Sequence, residues 1–438
     1  MTRKMGKMVP ELRFPEFEGE WEATQLSKLS SQVTSGSRDW AQFYTPKGDK
    51  FIRMTNLPRD GNIRLILDDM KYVTLPLNSS DGLRTSLKTG DILISITAEL
   101  GKIGLIPENF GKAYINQHIA LVKPRIDLTA PTFVAYFLAR TSSNNRFNRL
   151  NDSGAKAGLN LKTIRAFEVN TPPLPEQQKI AAFLSAVDGK IQQLSRQKEL
   201  LEQYKKGVMQ KIFSQQIRFA AQGRANVAGA GRAGATKDDN GQDYPDWREK
   251  RLGDLVTKIG SGVTPKGGAK VYQDEGVIFI RSQNVNSNRL LLDDITYISS
   301  EMHNSMKSSE VYASDILLNI TGASIGRSCV VPANFTTGNV NQHVCIIRMA
   351  EEASEYFYQI FLSSYYGQKL IFQSQAGGGR EGLNFQNIRT FKVPYPSYEE
   401  QQKIALFLTG IDQKIEAVQN QLTQSQTFKK GLLQKMFV

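Results

Sequence analysis

Apolar side chains along residues 176–213 recur at alternating steps of four and three, through Ile180, Leu184, Val187, Ile191, Leu194, Leu201, Val208 and Ile212. Such steps draw one stripe along an α-helix and are the heptad signature of a coiled-coil seam. A second stripe runs through Ile404, Leu408, Ile411, Ile415, Val418, Leu422, Leu432 and Met436. Lys198 and Lys205 interrupt the first stripe; Ser425 and Lys429 interrupt the second. Between Glu176 and Phe213 there is no proline, and Gly189 and Gly207 are the only glycines. At 1.5 Å per residue, 38 helical residues reach about 57 Å, longer than a small domain is wide. A helix with one apolar stripe must bury it. The pattern predicts two long helices paired antiparallel, with their polar seam positions setting the register. Packing of each helix on its own neighbouring block is the alternative.

Outside these stretches the pattern shortens. Ile92–Thr97, Tyr114–Lys123, Val277–Ile280, Ile316–Ile320 and His343–Arg348 are short runs rich in Ile and Val, bounded by Gly, Asn, Asp and Pro, as strands are. Pro131–Thr141 and Glu352–Ser363 carry Phe, Tyr and Leu at helical spacing. Trp21 and Trp247 each precede such a block and read as core anchors. The fold class expected is α+β: two mixed α/β blocks separated by two long helices that form an antiparallel coiled coil.

The chain also repeats itself. Leu174-Pro-Glu-Gln-Gln-Lys-Ile-Ala-Ala-Phe-Leu184 recurs 224 positions later as Tyr398-Glu-Glu-Gln-Gln-Lys-Ile-Ala-Leu-Phe-Leu408. Lys205-Lys-Gly-Val-Met-Gln-Lys-Ile-Phe213 recurs as Lys429-Lys-Gly-Leu-Leu-Gln-Lys-Met-Phe437. Gly158-Leu-Asn160, Asn116-Gln-His118, Asp91–Thr97, Phe51-Ile-Arg53 and Ser35-Gly36 have counterparts at Gly382-Leu-Asn384, Asn341-Gln-His343, Asp315–Thr321, Phe279-Ile-Arg281 and Ser261-Gly262. Conserved order with small shifts marks a tandem duplication with pseudo-two-fold symmetry. The expected organisation is a first block at 1–175, a helical spacer at 176–215, a Gly/Ala-rich flexible linker at 216–240, a second block at 241–397 and a C-terminal helical spacer at 398–438.

Composition narrows the function. The 438 residues include 55 Lys and Arg against 42 Asp and Glu, a net +13 that points to a polyanionic partner. The excess is uneven: residues 1–175 hold 24 basic against 17 acidic side chains, and residues 241–399 hold 15 against 16. No apolar run approaches the ~20 residues that cross a bilayer, and the N-terminus lacks the apolar core of a secretory signal. Cys329 and Cys345 form no disulfide framework, and no Cys/His group has zinc spacing. A soluble cytoplasmic protein without a membrane partner is expected.

Catalytic motifs are missing. There is no phosphate-cradling P-loop and no dinucleotide fingerprint. Asn170-Thr-Pro-Pro173 has the wrong spacing for the amino-methyltransferase tetrapeptide, and Pro245-Asp246 with Glu249-Lys250 only vaguely suggests a nuclease core, since its acid and lysine are adjacent and not separated by one residue. No catalytic residue and no metal ligand is expected. Nucleic-acid features are stronger. Three polar loops recur, each joining glycine to a cation and to Ser, Thr or Asn. They carry Ser35, Ser37 and Arg38 against Ser261, Thr264 and Lys266; Lys102 against Arg327; and Lys156 and Asn160 against Arg380 and Asn384. Arg53 and Asn56, with Arg281, Gln283 and Asn284, add side chains of the kinds that hold phosphates and pair with guanine and adenine. Ordinary turn glycines and solvated charges are the alternative. His118 and His343 could contact bases or simply bond within Asn-Gln-His.

The Pro-Glu-Gln-Gln-Lys-Ile-Ala-Ala-Phe-Leu stretch ending at Leu184, the Lys-Lys-Gly-Val-Met-Gln-Lys-Ile-Phe stretch ending at Phe213, and their copies at 398–437 resemble the specificity (S) subunits of type I restriction-modification systems. The resemblance covers essentially the whole chain as recognition domain, spacer, recognition domain, spacer. It implies that each domain reads one half of a split double-stranded DNA site. It implies that the coiled coil fixes the spacing and docks two methyltransferase (M) subunits, and that two restriction (R) subunits join. S-adenosylmethionine, ATP and Mg²⁺ then belong to the partners, and this chain carries no cofactor. The differing loops of the two copies imply an asymmetric site. A stand-alone DNA-binding protein, a single-chain nuclease or methyltransferase, and an interaction scaffold are the competing readings.

Overall fold

The computed structural model describes residues 8–59, 61–76, 82–151, 158–219, 246–265, 268–286, 288–375 and 382–438. The chain divides into two compact units. Unit 1 runs up to Arg196 and includes Gln419–Val438; unit 2 is Gln197–Val418.

Unit 1 contains β1 (Glu22–Gln25), β2 (Ser30–Ser35), β3 (Tyr44–Thr45), β4 (Asp49–Ile52), β5 (Lys71–Val73), β6 (Ile92–Ser95), β7 (Ile103–Leu105), β8 (Ala113–Ile115) and β9 (Ile119–Pro124). Helices α1 (Pro131–Ala139), α2 (Thr141–Arg149) and α3 (Leu161–Ala166), strand β10 (Glu168–Thr171) and the start of α4 (Leu174–Phe213) follow. One sheet has the order β2-β9-β6-β7, another β3-β5-β4-β8, and β1 pairs with β10. Most pairings are antiparallel; β4 and β8 run parallel.

Strand alternation explains why the central runs look continuously apolar. Ile92, Ile94, Ala120 and Val122 face one core with helix α1. Leu93, Ile119 and Leu121 face a second core with Ile52 and Ile115. A sheet buried on both faces needs apolar residues at every position.

Unit 2 repeats this plan. Its strands are β11 (Arg248–Arg251), β12 (Val256–Ser261), β13 (Val277–Ile280), β14 (Val285–Asn286), β15 (Arg289–Leu290) and β16 (Thr296–Ile298). After α5 (Ser300–Ser305) come β17 (Glu310–Val311), β18 (Ile316–Asn319), β19 (Ser328–Val330), β20 (Gly338–Val340) and β21 (Val344–Met349). Helices α6 (Glu355–Ser363), α7 (Tyr365–Gln375) and α8 (Phe385–Arg389), strand β22 (Lys392–Tyr395) and helix α9 (Tyr398–Lys435) complete the order. The sheets run β12-β21-β18-β19 and β16-β13-β20-β17, with β11 on β22 and β14 on β15. Again one pair, β13 and β20, is parallel. The mixed α+β architecture is as the pattern predicts.

Two expectations need correction. The run Tyr114–Lys123 is two strands, β8 and β9, in different sheets. The Asn116 side chain accepts from the His118 N–H at 3.2 Å and forms the turn between them. Asn341 and His343 repeat this at 3.0 Å. The expected linker at 216–240 also begins too early. Phe219 is buried in the unit 2 core, and Arg218 pairs with Glu400. The rest of that stretch, from residue 220, lies outside the described residues.

Helices α4 and α9 pair antiparallel within each unit. In unit 1, Ile180 and Leu184 share a core with Leu432, Leu433 and Met436. In unit 2, Val208 and Ile212 share one with Ile404, Leu408 and Ile411. Of the expected seam, Ile180, Leu184, Leu194, Ile404, Leu408, Ile411, Val418 and Leu422 are buried. Val187, Ile191, Leu201 and Ile415 are half-buried. Two interruptions are ion pairs between the helices. Lys429 Nζ lies 2.6 Å from Asp188 in unit 1, and Lys205 Nζ 2.6 Å from Asp412 in unit 2. A buried lysine with one carboxylate in reach disfavours any shifted register, because a slip would leave both charges unpaired.

The recurrent Glu-Gln-Gln clamps each helix to its unit. Buried Glu176 takes Arg13 Nε and Nη2 at 2.8 and 2.7 Å. Buried Glu400 takes Arg218 Nε and Nη2 at 2.8 and 3.0 Å, together with the Phe219 N–H and Trp247 Nε1. Gln177 accepts from the Ala130 N–H and donates to the Pro172 carbonyl; Gln401 accepts from the Ser354 N–H and donates to the Pro396 carbonyl. Trp21 is buried as an anchor should be, with rings of Phe133 and Phe437 at 5.7 and 6.3 Å. Trp247 is half-buried on Glu400.

Candidate nucleic-acid interface

Strand β4 ends at Ile52, and Arg53 opens a single 3-10 turn, Met54–Asn56. Its N–H donates to Asn56 Oδ1 at 2.9 Å, and Asn56 Nδ2 donates to the Ile66 carbonyl. In unit 2, Arg281 opens Ser282–Asn284 after β13, with the same N–H to Asn284 Oδ1 bond at 3.0 Å. Asn284 Nδ2 donates to the carbonyls of Leu291 and Asp294. Asn56 and Asn284 are 1% and 2% exposed, so both amides are spent inside the turn and present no edge to a base. The sequence expectation for these two is corrected to a structural role.

The arginines differ. Arg53 Nη2 donates to both the carbonyl and the carboxylate of Asp69 at 2.7 Å. The bond to Arg53 holds the exposed Asp69 carboxyl below the usual range. Asp294 is the equivalent acid in unit 2, since the Ile66 N–H bonds to the Asn56 carbonyl as the Leu291 N–H bonds to that of Asn284. There the carboxylate accepts from Gln283 Nε2 at 2.8 Å.

The Lys102 loop shows the same contrast. Lys102 Nζ pairs with Glu99, which also pairs with Arg59. These charges, with Asn62, Asn144 and Asn148, line a cleft of about 300 Å³. Burial first, and then the Arg59 charge, lower the Lys102 pKa. Gly101 and Gly326 each turn this loop at positive φ, 72° and 86°. Arg327 is exposed and has no ion pair among the described residues, and the loop Thr321–Arg327 holds no acid.

Other candidates divide. Gly36 is required because a Cβ there would lie 2.2 Å from the Asn116 carbonyl oxygen; at Gly262 it would lie 1.6 Å from that of Val340. These glycines serve a crossing of the protein's own backbone, not the approach of a ligand. Ser35 ends β2, and its carbonyl accepts from Arg84. Ser37 bridges to Asn116, and Ser261 lies at the end of β12 with Oγ 3.4 Å from the Gly262 carbonyl. Arg38 and Thr264 are exposed. Asn160 and Asn384 are helix N-caps, their side chains accepting from the N–H groups of Thr163 and Asn387 at 2.8 and 2.7 Å. Lys156, Lys266 and Arg380 lie outside the described residues.

The Asn-Gln-His segments bring in partners that sequence spacing did not reveal. His118 Nδ1 lies 2.8 Å from Thr97 Oγ1, and His343 Nδ1 lies 2.6 Å from Thr321 Oγ1. Gln117 and Gln342 reach Nε2 of the same rings at 3.1 and 3.4 Å. Thr97 and Thr321 bridge to Gly158 and Gly382, so the histidine turn and the Gly-Leu-Asn segment meet in each unit. Among the described residues no three His, Cys, Asp or Glu side chains form a metal cluster, and no helix is long and apolar enough to cross a membrane. Both cysteines are buried, which pushes their thiols up to about 12.

The duplicated arrangement has known relatives. Residues 38–203 and 244–425 match the type I restriction modification DNA specificity domain, one copy in each half. The chain belongs to the type I restriction-modification specificity family. It is similar to the chain assigned as the MjaX specificity subunit of Methanocaldococcus jannaschii, 24% identical over 428 residues, which is 95% of this chain and 93% of that one. It is 25% identical to the EcoBI specificity subunit of Escherichia coli over 344 residues, 74% of this chain and 69% of that one. In fold it resembles the crystal structure of the type I restriction-modification S subunit from M. genitalium. The TM-score is 0.63 at 18% identity, covering 98% of this chain and 99% of the other. A second solved structure, from work on assembly and conformational transition of the type I system, gives a TM-score of 0.53 at 15% identity over 95% and 96% of the chains. For this specificity-family chain, duplication of the whole Arg–turn–Asn constellation is the feature to explain.

Proposed function

We propose that the chain is the DNA-reading subunit of a type I restriction-modification complex, and that each unit reads one half of an asymmetric, split duplex site. The observation that carries this is the repetition of one polar framework with different side chains: Met54-Thr55 against Ser282-Gln283, and Ala98-Glu99 against Gly322-Ala323. A shared frame with altered readers suits two different half-sites.

The paired helices set the spacing and dock two methyltransferase subunits. Exposed Phe428 on α9 in unit 1 and exposed Tyr204 on α4 in unit 2 occupy equivalent helix positions, so two similar docking patches suit two copies of one partner. Restriction subunits complete the assembly. S-adenosylmethionine, ATP and Mg²⁺ act on those partners, and this chain performs no catalytic step.

Binding of the full chain with its methyltransferase to fluorescent duplexes tests the reading. Affinity should fall steeply with salt and be higher for one sequence. Cleavage or methylation by this chain alone, or binding indifferent to salt and sequence, would overturn it.

A further inference from the structure

Arg53 and Arg281 hold equivalent backbone positions, and in both the Nε–H is buried without a hydrogen-bond acceptor. An orphaned buried donor is unfavourable, and its recurrence in both units makes it a feature of the frame. What differs is the neighbouring residue. Unit 1 has Thr55 where unit 2 has Gln283. Threonine is too short to occupy the acid across the turn, and Asp69 closes on Arg53 through two bonds from Nη2. In unit 2 the Asp294 carboxylate is occupied by Gln283 and its carbonyl by Asn284. Arg281 has no ion pair and no side-chain hydrogen bond among the described residues, and it is half-buried rather than enclosed. The Arg327 loop offers the same contrast with Lys102 at a second place in the frame.

We infer that Gln283 holds Asp294 away from Arg281, and that this leaves the Arg281 guanidinium to take an acceptor from duplex DNA. Arg281 is then a DNA-contacting residue of unit 2, setting specificity if its acceptor is a base, whereas Asp69 restrains its counterpart in unit 1. The acceptor is a guanine O6/N7 edge or a backbone phosphate oxygen, since both suit a guanidinium fork. The inference rests on the chain reading DNA.

The test uses the full chain bound to its methyltransferase. The probes are fluorescein-labelled duplexes carrying the site found by mapping modified positions, and the same duplexes with either half scrambled. Wild type should lose affinity when either half is scrambled. R281Q should bind the intact site roughly tenfold more weakly. If the acceptor is a base, R281Q should also become indifferent to one half while keeping its response to the other. If it is a phosphate, the loss should be equal on all duplexes. Q283T should weaken binding several-fold by letting Asp294 close on Arg281, and adding D294N should bring affinity back to within about twofold of wild type. Rescue by the second substitution also shows that Q283T folds.

R281Q binding within twofold of wild type on every duplex overturns the proposal. So does a Q283T/D294N chain as weak as Q283T. A wild-type complex with no preference for the mapped site overturns the DNA-reading function itself, which separates the two failures.

Discussion

The two units share one frame but handle charge in opposite ways. Residues 1–175 hold an excess of basic side chains, yet the loop cations that match Arg281 and Arg327 are paired: Arg53 with Asp69, and Lys102 together with Arg59 on the single carboxylate of Glu99. Residues 241–399 are near neutral, yet Arg281 and Arg327 at the equivalent places have no ion pair among the described residues. Net charge is therefore a poor guide to which unit offers cations to a ligand. A guanidinium already bonded to a carboxylate must exchange that partner, and the exchange offsets part of what the ligand supplies. A cation without a partner faces no such exchange. At these two places, the near-neutral unit is the one whose cations have no ion pair among the described residues.

The comparison can be broken first at the helix clamps. Glu400 accepts from Arg218, Phe219 and Trp247, whereas Glu176 takes Arg13. Both acids are buried, so removal of either leaves a half-buried arginine without its carboxylate, a loss of up to about 3–5 kcal/mol that the bonds from Arg13 to the Gly19 and Glu18 carbonyls reduce in unit 1. Glu400→Ala should sit at the upper end and Glu176→Ala lower. Urea unfolding followed by tryptophan fluorescence reads this, since Trp247 lies against Glu400. Equal losses would show that the extra bonds in unit 2 add nothing.

A smaller effect concerns the loops. Arg327→Ala should lower the slope of log affinity against log salt by about 0.9, the value for one phosphate contact on duplex DNA. Lys102→Ala should lower it by less, because Glu99, shared with Arg59, already neutralises part of that ammonium's charge. Equal changes in a salt titration would contradict the closed-versus-open distinction.

The smallest effect lies in the coiled coil. Asp188 also accepts from the Tyr136 hydroxyl at 2.7 Å, and in unit 2 the position equivalent to Tyr136 is Ile360. Lys429→Met therefore leaves Asp188 with one hydrogen bond, while Lys205→Met leaves the Asp412 carboxylate with no other hydrogen bond among the described residues. Lys205→Met should be the more destabilising by about 1 kcal/mol, measured as the difference in urea unfolding free energy. The opposite order would show that the Tyr136 hydroxyl does not support Asp188.

Much of this arrangement was legible in the sequence. The repeat, the heptad stripe and the short apolar runs are local patterns, and periodicity reports them directly. The conversion of Asn116-Gln-His118 into a turn between two sheets was not legible, because Ile115 and Ile119 on either side look like one strand. Neither was the clamp of Arg13 on Glu176, a contact between residues 163 positions apart. Its equivalent, Arg218, lies in what reads as the start of a Gly/Ala-rich linker. At the candidate interface, residue type alone suggested base contacts for Asn56, Asn160, Asn284 and Asn384. Burial places the Asn56 and Asn284 amides inside turns, while Asn160 and Asn384 cap helix starts through Oδ1 and stay exposed. The acids that close or spare the arginines, Asp69 and Asp294, stand in the recurrent Leu-Asp-Asp of residues 67–69 and 292–294, a signal that was available.

The most direct measurement is a genome-wide map of modified bases in cells that express this chain with its methyltransferase. Two units with one frame and different readers predict a single motif made of two unlike specified segments separated by a fixed gap. A contiguous motif, or two identical halves, would contradict the account.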